Sequence, residues 1–146
     1  MSSVSLASGA IGAGVLTLIH QSAKGRLPRA PRMDVVGMRA VDRVTQWIGA
    51  RVLPRPQLHR AALAGDLIAN SLYYSMVVGR TPAETWRRGL MLGAMAGVGA
   101  LSLPEPLGLG TAPHSGDRGN QLMTVAWYVL GGLAAAAAAN AFRSRV

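Results

Sequence analysis

No cysteine occurs in the 146 residues, so disulfides, thiolate zinc sites and thiol catalysis are excluded. Charge is scarce too. Asp, Glu, Lys and Arg together make 14% of the chain, against about 25% in an ordinary soluble domain. Negative charge is the scarcer kind: 6 acidic residues stand against 15 basic ones, a net charge of +9. Every basic residue except Lys24 is Arg. Nucleotide-binding glycine motifs and Ser-centred nucleophile elbows are also missing. The Gly-rich run Gly9 to Gly14 (GAIGAG) lies in an apolar stretch with no strand before it, the wrong context for cradling phosphate.

What is present is apolar. Half of the residues are hydrophobic and the mean hydropathy is +0.27. The charges cluster between apolar blocks. This distribution predicts an all-α fold, a polytopic membrane bundle of four transmembrane helices at about 4–23, 58–79, 83–103 and 120–142. On this reading residues 1–146 form one transmembrane helical domain. The amino-terminal run has no basic residue before Lys24, which fits an uncleaved first helix better than a cleaved signal.

Between the first two blocks the pattern changes. Val35, Val36, Met38, Val41, Val44, Trp47, Ile48 and Val52 recur at helical spacing, with Arg39, Asp42, Arg43 and Gln46 mostly opposite. That predicts an amphipathic helix over 35–52, capped by Asp34 and ended before Pro54. It lies in the membrane interface with Trp47 buried, or packs on the end of the bundle.

Boundary signals are clear elsewhere. Thr81-Pro82-Ala83-Glu84 combines a capping Thr, a first-turn Pro and a capping-box Glu. Pro104 and Pro106 stop the third apolar helix. Asn120 is the expected N-cap of the fourth. Arg143 and Arg145 suit a helix end at the head groups.

Arg and Lys set the expected orientation. The loop from Lys24 to Arg60, which includes Arg29, holds most of them. The positive-inside rule places that loop and Arg118 in the cytoplasm, and both termini outside an inner (plasma) membrane. The expected partners are the lipid bilayer and a second copy or another membrane protein. Nucleic acid is not expected, because the Arg residues flank apolar blocks without interleaved aromatics. Gly89, Gly93 and Gly97 form a small-residue row suited to close helix packing, within the chain or between copies.

The residue that stands out is Asp66, a carboxylate inside the second apolar block. At bilayer depth it costs roughly 2.5–3.5 kcal/mol unless it faces a partner or water. At 100° per residue His59, Asp66, Asn70 and Tyr73 share a stripe about 60° wide, with Tyr74 at its border. Desolvation would raise the Asp66 pKa and suit it to proton or acid–base work. A hydrogen-bonded cluster fixing helix register is the structural alternative. His20 and His59 fall near the same end of their helices and complete the set of candidates. No metal-ligand spacing joins His20, His59 and Asp66, so no metal is expected, and no cofactor is indicated.

Arg60, Asp66 and Asn70 early in the second block resemble the trimeric membrane glutathione-transferase type of protein. Leu58-His59-Arg60 stands where that family's Glu–Arg pair belongs, so no family is assigned. Three functions remain: a membrane protein binding a small ligand, lipid or proton around Asp66; an accessory subunit of a membrane complex; and a small membrane enzyme acting on a lipophilic substrate.

Overall fold

In a computed structural model, residues 2–27 and 30–144 are described. Arg29, counted above among the orienting charges, and Arg145, read above as a helix-end residue, lie outside them. The described chain is all helical: α1 (Ser3–Lys24), α2 (Met33–Trp47), α3 (Arg55–Tyr74) running into a 3-10 turn (Ser75–Val77), α4 (Pro82–Ser102) and α5 (Arg118–Arg143).

Local chemistry sets most ends. Ser2 Oγ accepts from the Ser5 N–H and starts α1. Thr81 Oγ1 accepts from the Glu84 N–H at 3.1 Å, while Glu84 reaches back to the Arg80 N–H at 2.8 Å. The start of α5 differs from expectation. Asp117, not Asn120, is the cap, and its Oδ1 accepts from the Gly119 N–H. Asn120 is buried one turn inside the helix. At α2 the helix begins at Met33, so Asp34 sits in the first turn rather than at the cap. Its carboxylate is taken by Lys24 and Arg32 instead.

The core gathers around α5, which packs against α1 on one side and α4 on the other. Leu16, Tyr74, Val77, Trp127, Tyr128, Ala135 and Ala136 form its buried centre. Small residues permit the close approach. A Cβ on Gly93 would fall 2.6 Å from Val129 Cα, and one on Gly97 2.7 Å from Val125 Cα. Gly89 meets the carbonyl of Gly132 in the same way. Arg143 closes the far end of α5. It donates to the carbonyls of Gly79 and Arg80, both at 2.6 Å.

The four-span topology is overturned. Among the described residues only α1 and α5 are long and apolar enough to cross a membrane, and a buried core helix or an amino-terminal leader meets the same description. The second and third apolar blocks fall short for physical reasons. Arg55, His59, Arg60, Asp66 and Asn70 interrupt α3, which gives way to the 3-10 turn at Ser75. Glu84, Arg87 and Arg88 open α4.

The membrane-based expectations fall with it. Two candidate spans do not establish a multi-pass inner-membrane protein with both termini outside. Nor do they support a lipid bilayer, membrane partner or homo-oligomer as partners. The row Gly89, Gly93 and Gly97 is occupied within the chain, by α5. The predicted interfacial helix over 35–52 is shorter, and Trp47 is 87% exposed. It stops where Gly49 takes φ +67, the left-handed turn that glycine adopts without strain. The helix rests on α3. Its Arg39 and Arg43 donate to the carbonyls of Gly108, Leu109 and Thr111 in the loop before α5.

Candidate functional site

Asp66 is not at the centre of the bundle. It is half-buried at the edge of α3, where α1, α2 and α3 enclose a cleft of about 50 Å³. Helical spacing supplies the walls. Thr17, His20, Gln21 and Lys24 come from α1, and His59, Ala62, Leu63 and Asp66 from α3. Both sets recur every three or four residues, as one helix face requires. Pro31, Met33, Asp34 and Gly37 close the third side. Gly37 faces α3, and a Cβ there would sit 3.5 Å from Ala62 Cβ, in ordinary contact.

The sequence-derived candidates divide. His20, His59 and Asp66 line this one cleft. Asn70 stands one turn behind Asp66. Its Nδ2 donates to the Asp66 carbonyl and to Asp66 Oδ1, both at 2.9 Å. Both bonds are internal to α3, so they cannot set its register against another helix.

The two tyrosines leave the stripe. Tyr73 donates to the Leu92 carbonyl at 3.1 Å, and the fully buried Tyr74 donates to the Tyr128 carbonyl at 2.7 Å. Burial pushes both phenols above their ordinary pKa, so they stay protonated donors.

Thr17, Gln21, Lys24 and Asp34 were not foreseen as lining residues. The first three share a helical face with His20, which is a legible signal. The pairing of that face with α3 is a long-range contact that no local pattern reveals.

The electrostatics are uneven. Burial pushes Asp34 up, but hydrogen bonds from Arg32 and Lys24 outweigh it and hold the carboxyl at about 2. Lys24 Nζ lies 2.7 Å from Asp34 Oδ2 and Arg32 Nε 2.9 Å from Oδ1. Asp66 has no such neighbour. Among the described residues no cation lies within ion-pair distance of it. Burial pushes its carboxyl up, and the Asn70 hydrogen bond offsets only part of this.

His20 is backed by an aromatic wall. Its ring meets Trp127 edge-on at 5.1 Å and Tyr128 at 5.8 Å. Burial lowers its pKa to about 4 against the pull of Asp34, so the imidazole is neutral at pH 7. Thr17 Oγ1 and His20 Nε2 are both buried without a protein hydrogen-bond partner. No three His, Cys, Asp or Glu side chains among the described residues are grouped to hold a metal ion. In place of the polar site expected around Asp66 within a four-helix membrane bundle, the structure has a lateral cleft beside an apolar core.

No family model matches the chain, and neither the curated proteins nor the solved structures compared with it include one that is similar.

Proposed function

We propose that this chain is a helical binding domain that takes a small polar molecule in the cleft between α1, α2 and α3. One observation carries the reading. Of the described side chains with a buried atom that lacks a protein partner, Thr17 and His20 share the cleft with Asp66, while Asn140 lies on α5 outside it. The large majority of buried side-chain polar atoms are paired, with protein or with ordered water. An unmet one costs about 1–3 kcal/mol. Two such atoms beside a half-buried carboxylate make a binding surface better than they make a core.

The test follows ring resonances of His20 during titration with methylammonium, formamide and formate in turn. Saturable shifts confined to His20, Thr17 and Asp66 are expected with at least one probe. Thr17→Val, which removes the hydroxyl at nearly constant side-chain volume, should then weaken that probe. Silence of the His20 ring toward all three probes would overturn the reading.

A further inference from the structure

We infer that the molecule bound in this cleft is a compact primary ammonium, gripped by Asp66 as counter-ion with Thr17 Oγ1 and His20 Nε2 as hydrogen-bond acceptors. The inference rests on the cleft being a binding site and adds the chemical class of what it takes.

Charge gives the first argument. Two carboxylates line the cleft, Asp34 and Asp66. Asp34 is matched by Lys24 and Arg32. Among the described residues Asp66 is met only by the neutral amide of Asn70, on one of its two oxygens. A half-buried carboxylate without a cation is costly, and a cation offsets that cost where further hydrogen bonds satisfy its own donors. An anion has no equivalent anchor, because Lys24 is already held by Asp34 at 2.7 Å.

Hydrogen bonding gives the second. Among the described residues that line the cleft, the buried polar atoms without protein partners are a hydroxyl oxygen and an imidazole nitrogen. His20 is neutral at pH 7, with its pKa lowered to about 4, and a neutral imidazole offers one lone pair. Together with the carboxylate these form an all-acceptor set when the ring proton sits on Nδ1 and the Thr17 hydroxyl hydrogen turns away. A primary ammonium brings three N–H donors and no acceptor, the same inventory as a lysine head.

Size and ligand chemistry give the third. A cleft of about 50 Å³ holds roughly three or four water-sized spheres. That admits an ammonium head with a carbon or two, and any longer tail must leave through the mouth. A divalent metal is disfavoured because the described residues offer no grouped triad of His, Cys, Asp or Glu. The net charge of +9 repels cations at a distance, so the recognition has to be made at contact.

The experiment titrates the intact chain with methylammonium chloride and follows the His20 ring and the Asn70 side-chain amide by NMR. Tetramethylammonium, formamide and formate serve as parallel arms at equal ionic strength. Saturable shifts are expected with methylammonium. Tetramethylammonium, which has the charge without the donors, should give none. Asp66→Asn should weaken methylammonium by about tenfold or more, as loss of a charged hydrogen bond does, with unchanged α5 resonances showing that the fold is kept. Binding of formamide or formate with methylammonium silent would overturn the ammonium assignment and leave the cleft reading standing. Equal affinity in Asp66→Asn would overturn it likewise, and silence in every arm would overturn both. If Asp66→Asn fails to fold, methylammonium against tetramethylammonium on the unaltered chain still decides the class.

Discussion

Lys24 Nζ and Asp34 Oδ2 meet at 2.7 Å, joining the last turn of α1 to the first turn of α2 across the link between them. Arg32 binds the same carboxylate through Nε and a second guanidinium nitrogen. No residue of α2 is buried. The helix is therefore held by this ion cluster, by contact with α3 and by the grip of Arg39 and Arg43 on loop carbonyls. Asp34 lies at the cleft, so the cluster also fixes one of its walls.

The first prediction concerns that latch. Asp34→Asn should speed amide exchange across α2 and leave α5 unchanged, since α5 is anchored in the core. Lys24 and Arg32 are about one-third exposed or more, so solvent screening limits the loss to about 1 kcal/mol. The sign with pH follows from the depressed Asp34 value. Its contribution is complete above the ordinary carboxylate pKa and disappears as pH falls through about 2. Hydrogen exchange read by mass spectrometry checks both points. Equal acceleration of α5 would show that the cluster holds the whole fold instead of α2.

How much of this was legible beforehand varies by element. The helical class follows from Ala, Leu and Gly runs with 3.6-residue periodicity, and Thr81 and Glu84 mark the start of α4 because capping is local chemistry. Four spans do not follow from the length of the apolar blocks, because charges interrupt two of them. Arg87 and Arg88 near the start of α4, and His59 and Arg60 in α3, decide that question. At the site, Asp66 and the two histidines were visible as unusual residues. Their meeting depends on α1 packing against α3, a long-range contact between segments distant in the sequence. Tyr73 and Tyr74 shared their stripe in angle but lie two turns further along α3, beside α4 and α5.

The second prediction uses His20. Its pKa is lowered to about 4 in the folded chain, whereas an unfolded His titrates near 6.5. The unfolded state therefore binds the proton first on acidification. The stability due to neutral His20 is complete above about pH 6.5 and is lost as pH falls toward 4. At about 1.4 kcal/mol per unit the upper bound is roughly 3 kcal/mol. The midpoint of thermal unfolding should fall across this window, and His20→Gln should flatten the profile. A His20→Gln curve parallel to the parent's would assign the slope to other groups.

The third prediction contrasts two helical glycines. Alanine is intrinsically better than glycine in a helix by about 0.5–1 kcal/mol, so Gly→Ala is stabilising unless space forbids it. At Gly14 a Cβ meets nothing within 4 Å, and Gly14→Ala should raise stability by roughly that amount. At Gly93 the same Cβ would lie 2.6 Å from Val129 Cα and 2.8 Å from the Tyr128 carbonyl. Both neighbours are backbone of α5 and cannot swing aside, so α4 must move away. Overpacking of this kind costs about 1–3 kcal/mol. It should also disturb Tyr128, whose carbonyl accepts the buried Tyr74 hydroxyl at 2.7 Å. Denaturant unfolding of the two variants in parallel is the check. Opposite signs are expected, and a stabilising or neutral Gly93→Ala would mean that α4 and α5 are not as close as described.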